Sequence, residues 1–265
     1  MSQTETTPSS IRLVTAAVLV IGDEILSGRT QDTNSSYLAR WLGELGIQVR
    51  EIRVVPDIQA EIVAALNALR ARFDYIFSTG GIGPTHDDIT ADAVAAAFGV
   101  GIEHHPRAMA ILSAHYPQGE FTEARMRMAR IPDDASLIDN PVSKAPGFRI
   151  GNVFVLAGVP MIMQAMLDSL RDQLVGGPRM LSASVGGTVA EGHVAAALGA
   201  LQAEFPDVSM GSYPYFRRPP PGSDQPSPYG VNFVLRSINA GRLAQAREAV
   251  CAMIRAQGVE PVDRD

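Results

Sequence analysis

What most constrains this chain is the way two hydrophobic periodicities alternate along its first hundred residues. RLVTAAVLVI (12 to 21) is a continuous apolar run, the pattern of a strand buried on both faces, and it stops at GDE (22 to 24). Between 32 and 46 the residues Tyr37, Leu38, Trp41, Leu42 and Leu45 recur at helical spacing, and Gly46 stands where a left-handed C-terminal cap belongs. IQVREIRVV reads as a strand. The next segment is predicted helical, with Asp57 as N-cap and Ile58, Ile62, Leu66 and Leu69 on one face. DYIFS (74 to 78) is a further short strand and ITADAVAAAFG (89 to 99) a further helix. Strand and helix in strict alternation predict an α/β fold, a mostly parallel sheet with helices on both faces.

Within that order, STGGIGPTHDDITAD (78 to 92) joins the carboxyl end of a strand to the amino end of a helix. Open α/β sheets bind ligands at such loops. Gly80, Gly81 and Gly83 let backbone N–H groups close around an anion, and the helix start adds partial positive charge. GDE occupies the equivalent place after the first strand, so both loops are expected at one edge of the sheet. The acids need a separate account, because carboxylates repel anions. Asp87 and Asp88 either cap the helix beginning near Ile89 or hold a cation. Asp23, Glu24, Asp32, Asp87 and Asp88 all fall in loops at the same expected edge. Five carboxylates around an anion cradle favour the second reading, a divalent cation bridging acids to phosphate oxygens.

GDEILSGRTQDTNSSYLARWLGELG followed by TGGIGPTHDDIT, together with NPVSKAPGF (140 to 148) and AGVP (157 to 160), resembles the molybdopterin-binding domain family of MoaB/Mog-like fold. Within that family it is similar above all to the N-terminal region of competence/damage-inducible proteins of the CinA type and to the related domain of some eukaryotic FAD synthases. The likeness runs from about 14 to 172 and more faintly beyond. The resemblance implies a ligand carrying phosphate. Molybdopterin-handling members bind the pterin phosphate and its adenylylated form, CinA-like members are associated with metal-dependent cleavage of the ADP-ribose diphosphate, and the FAD synthase relatives with cleavage of FAD.

The candidate site drawn from these motifs has Asp88 and Asp87 as catalytic carboxylates and Asp23, Glu24 and Asp88 as ligands of a divalent ion of the magnesium or cobalt type. Gly22, Asp32, Asn34, Thr79, Gly80, Gly81, Gly83, Pro84, Thr85 and Lys144 are the ligand-binding candidates, with molybdopterin as one alternative ligand. Lys144 is either a solvated loop lysine or a group reaching a phosphate. Two departures stand out. Ala157 replaces a proline common in CinA, and the sequence has no room for the amidase domain of full-length CinA, so deamidation is expected to be absent.

From 100 to 175, HHPRAMAILSAHY predicts a helix with Pro106 in its first turn, and TEARMRMARIP a second helix whose Met126 and Met128 serve packing. His104, His105 and His115 lack metal-ligand spacing and are expected at surface or hinge positions; His86, inside the glycine motif, stays open. NPVSKAPGFRIG reads as a loop before strand NVFVLAG, and Pro160 opens the last helix of a domain spanning 12 to 175. After a GGP linker, residues 179 to 260 follow the order β-α-β-β-α, a small α+β domain that resembles the KH-like region of CinA. It has no GxxG clamp for nucleic acid, which leaves a structural or dimerising role. The Pro-rich RRPPPGSDQPSP (217 to 228) joins its middle strands, and Arg217 and Arg218 offer a lesser partner-binding alternative.

A net charge of −6 argues against a general nucleic-acid or acidic-membrane binder, since backbone affinity needs clustered Lys and Arg. Residues 1 to 11 read as a loose polar tail rather than a signal sequence, and no apolar run approaches the roughly 20 residues that span a bilayer. One cysteine, Cys251, excludes an intrachain disulfide and suits a reducing cytoplasm. The expectation is a cytoplasmic homo-oligomer that binds a small phosphorylated ligand, without nucleic-acid or membrane partners.

Overall fold

The computed structural model describes residues 12–216 and 229–264. Its first elements are β1 (Val14–Ile21), a single-turn helix α1 (Asp23–Leu26), α2 (Asn34–Glu44), β2 (Ile47–Val55), α3 (Gln59–Arg70), β3 (Tyr75–Thr79) and α4 (Thr90–Phe98). Gly46 and Gly99 follow α2 and α4 at φ of 73° and 69°, the left-handed conformation that ends a helix without a Cβ penalty. Next come β4 (Ile102–His104), α5 (Pro106–His115), α6 (Glu123–Met126), β5 (Arg130–Pro132), β6 (Ser136–Ile138), β7 (Gly147–Ile150), β8 (Val153–Leu156) and α7 (Pro160–Asp168).

Six strands form one sheet in the order β2-β1-β3-β8-β7-β6. The pairs β2-β1, β1-β3 and β3-β8 are parallel, while β7 and β6 add an antiparallel edge. The pleat sends alternate residues of β1 into two different cores. Ala17, Leu19 and Ile21 pack with Ile62 and Leu66 of α3, Val94 of α4 and Leu112 of α5. Ala16, Val18 and Val20 pack on the other face with Leu38 and Trp41 of α2 and Met163 and Leu167 of α7. Helices on both faces explain why β1 is apolar throughout rather than alternating. Phe77 and Phe154, neighbours on β3 and β8, stack at 5.0 Å between ring centroids in the second core.

Three local expectations are corrected. Asp57 does not cap α3: the N-cap position is Ile58, without a side-chain bond, and the Asp57 carboxylate instead accepts the Asp23 N–H at 2.9 Å. TEARMRMARIP forms only one turn of α-helix, then a 3₁₀ turn at Arg127–Ala129 and strand β5. The segment bonds to β4, with His104 opposite Arg130 and Ile102 opposite Pro132, and that pairing outweighs its helical propensity. Part of the expected loop before NVFVLAG is strand β7, which pairs antiparallel with β8.

The chain divides between Pro178 and Arg179. The second unit, taken by itself, contains β9 (Leu181–Gly187), α8 (Glu191–Glu204), β10 (Ser209–Phe216), β11 (Tyr229–Ser237), α9 (Ala240–Arg255) and a short β12 (Val262–Asp263) that periodicity does not reveal. Its strands pair antiparallel in the order β10-β11-β9-β12, over a core that includes Val185, Phe233 and Leu235 with Val250 and Ile254 of α9. The Pro-rich segment with Arg217 and Arg218, and the tail 1 to 11, lie outside the described residues.

Candidate functional site

The sheet order fixes where a ligand can sit. From β1 the chain moves to β2 on one side, then to β3 on the other, so the winding reverses between β1 and β3. A crevice opens at their carboxyl ends. The loops after β1, β3 and β8 meet there.

The glycines allow that approach. Gly80 has φ 103° and a Cβ on it would lie 2.2 Å from the Ile21 carbonyl oxygen; Gly81 has φ 67° and a Cβ would lie 2.2 Å from Thr90 Oγ1. No other residue fits either position without moving backbone or a buried side chain. Thr90, fully buried, clasps the loop from the start of α4. Its hydroxyl donates to the Gly80 carbonyl at 2.9 Å and its N–H to the Gly81 carbonyl at 3.0 Å.

A cleft of about 530 Å³ results. Glu24 and Thr30 line it from the loop after β1, Gly80 to Pro84 and Asp88 from the loop after β3, Asn140 and Ser143 from the loop before β7, and Gly158 from the loop after β8; Ile82, Met128 and Ile162 supply apolar wall. Asn140, almost wholly buried, shapes its own loop by donating to Ser143 Oγ and the Ala145 carbonyl, both at 2.7 Å, and accepting the N–H groups of Val142 and Ser143. A side pocket of about 60 Å³ adjoins the cleft and is lined by Asp32, Asn34 and Thr79 as well as Glu24 and Thr30. Asn34 ties α2 to the loop after β8 by donating to the Gly158 carbonyl at 2.7 Å, while its Oδ1 and the Thr79 hydroxyl are buried without a partner.

Asp88 does not cap α4, whose N-cap is Ile89. Its Oδ2 accepts both the Thr85 N–H, at 2.8 Å, and the Thr85 hydroxyl, so the carboxylate braces its own loop at the rim of the cleft. Asp57 is a member of this edge that periodicity conceals. Burial pushes its carboxyl above the usual range; the Asp23 N–H opposes that, and the charges of Asp23, Glu24 and Asp87 add to it. Acids from the loops after β1, β2 and β3 are thus electrostatically in touch.

The structure sorts the sequence candidates. Glu24, Gly80, Gly81, Gly83, Pro84 and Asp88 line the cleft; Asp32, Asn34 and Thr79 line the side pocket. Thr85 holds Asp88 instead of facing the cleft. Gly22, Asp87 and Lys144 are absent from both linings. Lys144 occupies the turn after Asn140 at φ 62°, its N–H bonded to the Asn140 carbonyl at 3.1 Å. The trio Asp23, Glu24 and Asp88 is not assembled: among the described residues no three His, Cys, Asp or Glu side chains converge to hold a metal ion. The reason is helical geometry, since Asp23 and Glu24 are successive residues of α1, about 100° apart, and Glu24 is the one that lines the cleft. His86 is almost fully exposed, 3.9 Å from Asp87. His105 caps α5, its Nδ1 accepting the Ala108 N–H at 3.4 Å. Lining residues the motifs did not single out for the cleft include Thr30, Met128, Asn140 and Gly158; Met128 also packs on the first core, so its packing role is joined by a lining one.

A glycine-built cleft at the switch point of a mostly parallel sheet defines an α/β domain whose candidate site lies at the carboxyl edge of its strands. Residues 17–175 match the family described as the probable molybdopterin binding domain, and the chain belongs to that family. Residues 179–263 match the middle domain of FAD synthase. The chain is 44% identical over 158 residues to a CinA-like protein of Citrifermentans bemidjiense, covering 57% of this chain and 38% of that protein. It is 36% identical over 189 residues to a probable FAD synthase of Caenorhabditis elegans, covering 63% and 36% respectively. Among solved structures, the CinA protein of unknown function from Thermoplasma acidophilum is 37% identical with a TM-score of 0.57, covering 60% of this chain and 96% of that one. The chain spans about 64% of the length of the Thermoplasma relatives it matches. Among the described residues no helix is long and apolar enough to cross a membrane.

Proposed function

We propose that the first unit binds a phosphorylated nucleotide or pterin and hydrolyses a diphosphate bond of the kind found in ADP-ribose and FAD, with a divalent metal ion of the magnesium or cobalt type. The observation that carries the reading is the cleft itself: a loop that only glycine lets into such close approach, at a sheet switch point, with Glu24 and Asp88 lining the same space. The FAD synthase relative favours a dinucleotide over a simple phosphate.

Two carboxylates without a third suit a magnesium-type ion, which is commonly held by one or two carboxylates together with substrate phosphates and water. Of the two, Glu24 would hold it together with substrate phosphates and water, which leaves Asp88 for acid–base work. Such an ion neutralises charge that develops on phosphate oxygens and lowers the pKa of a bound water. The protein's own part is separable from that. Backbone N–H groups of Gly81, Ile82 and Gly83 orient the phosphates at the positive end of α4, the Gly80 N–H being already given to the Leu156 carbonyl at 3.3 Å. The Thr85 bonds fix the Asp88 carboxylate, which serves as the base toward an attacking water. Ile82, Met128 and Ile162 exclude bulk solvent from one wall. Asn34 Oδ1 and the Thr79 hydroxyl offer unused hydrogen-bonding capacity to a polar group of the ligand in the side pocket. The ligand is a small molecule, with neither nucleic acid nor membrane as partner, and the protein acts in the cytoplasm as a homo-oligomer.

The second reading is a non-catalytic molybdopterin-binding protein, favoured by the description of the matching family. Incubating the purified protein with ADP-ribose and FAD, with and without magnesium or cobalt, and measuring AMP separates the two. AMP that depends on metal supports hydrolysis. No AMP from either, together with tight binding of molybdopterin, supports the second reading.

A further inference from the structure

Arg127 lies in the 3₁₀ turn after α6, in a segment whose sequence suggested only helix packing. Its Nε is buried without a hydrogen-bond partner. It lines a small pocket of about 20 Å³ with Gly81, Gly83, Asp88, Asp92 and Arg130. Both carboxylates there are committed elsewhere. Asp92 takes a bidentate pair from Arg130, at 2.9 and 2.6 Å, and Asp88 accepts from Thr85. Among the described residues Arg127 forms no ion pair. A guanidinium with a buried, unpaired donor is expensive to leave so, and in native proteins such a group is as a rule satisfied by another protein group, an ordered water or a ligand.

The pocket opens on the proposed site, since Gly81, Ile82, Gly83, Asp88 and Met128 line both it and the main cleft. At about 20 Å³ it accommodates one oxygen-sized group rather than a whole phosphate. We propose that Arg127 is the cationic residue of the anion cradle, taking one non-bridging oxygen of a ligand phosphate from behind the glycine loop while the phosphate itself lies in the cleft. This assignment rests on the phosphate-binding reading of the cleft. It also resolves a mismatch of charge. The edge is rich in acid, Lys144 is absent from the lining, and Arg127 supplies a positive charge on the glycine side, while Asp92 is already paired with Arg130. The planar fork suits a phosphate oxygen in a way that a lysine ammonium does not. Arg127 acts here by binding and positioning the ligand.

The test is calorimetric titration of the full chain with inorganic pyrophosphate and with ADP-ribose, adenosine serving as a phosphate-free control. Arg127→Gln is expected to bind both phosphate probes about 10- to 100-fold more weakly, as for loss of a charged hydrogen bond, with adenosine unchanged and a shallower salt dependence. Arg127→Lys, keeping charge but not the fork, is expected to recover part of the loss. Equal pyrophosphate affinity in wild type and a folded Arg127→Gln overturns the assignment and leaves the cleft reading intact. A wild type that binds none of the phosphate probes overturns both. If Arg127→Gln does not fold, phenylglyoxal labelling of wild type read by mass spectrometry decides: pyrophosphate should slow modification of Arg127 several-fold, and no protection overturns the assignment.

Discussion

Replacing Asp88 by Asn separates a brace from a reacting group. Both Thr85 donors converge on one oxygen, Oδ2, so an amide oxygen placed there still accepts the N–H and the hydroxyl. What is lost is charge assistance on two bonds of an exposed loop, a cost of about 1 kcal/mol or less after solvent screening. For a domain of this size that is a fall in Tm of roughly 2–4 °C. Asp88→Ala removes the acceptor altogether and should cost about 2 kcal/mol. Turnover is expected to respond on another scale. A carboxylate acting as general base contributes about 10²- to 10⁴-fold, so Asp88→Asn should retain no more than about 1% of the AMP release from ADP-ribose or FAD while melting nearly as wild type. Thermal melts followed by circular dichroism, with a coupled AMP assay on the same preparations, give both numbers. Wild-type turnover in Asp88→Asn would refute the catalytic role, and a melting temperature lowered by more than about 10 °C would show that the carboxylate serves mainly as structure.

Other consequences are as direct. The Asp57 carboxyl is raised above 3.8 by burial and by its acidic neighbours, so its contribution to stability is present below the unfolded value and lost as pH rises through the folded one. Asp57→Asn, which can still accept the Asp23 N–H, should therefore gain stability relative to wild type at pH 7 and lose that gain below about pH 4 in urea titrations; an equal difference at both pH values would contradict this. Gly81→Ala places a Cβ 2.2 Å from Thr90 Oγ1 at φ 67°, and should destabilise by about 2–4 kcal/mol through left-handed strain and loss of the Thr90 clasp. A change below about 0.5 kcal/mol in chemical denaturation would refute it. Residues 12–178, with cores of their own on both sheet faces, should unfold cooperatively when expressed without the second unit. If the second unit dimerises the protein, light scattering should then show a lower subunit count, and an unchanged count would exclude that role.

Local pattern carried far in this chain. Runs such as VTAAVLVI and IQVREIRVV specify strands because their residues suit a buried pleated surface, and Gly46 and Gly99 end helices because only a residue without Cβ adopts that turn cheaply. The alternation of these elements places the glycine motif at the carboxyl edge of a parallel sheet, where the cleft is found, and so brings Glu24, Gly80, Gly81, Gly83 and Asp88 to one space. Other features depended on pairing partners distant in sequence. TEARMRMARIP is helical by propensity, yet β4 claims its end as a strand. Asp57 looks like a cap until its carboxylate meets Asp23, 34 residues earlier in the chain. Asp23 and Glu24 look equivalent until one turn of helix points them apart. Arg127 belongs to no motif, and Asn140 opens NPVSKAPGF without its role being legible there, because a side chain's worth to a site lies in which buried groups surround it and which of its bonds are left unmade, and those are set when strands and loops far apart in the chain pack together.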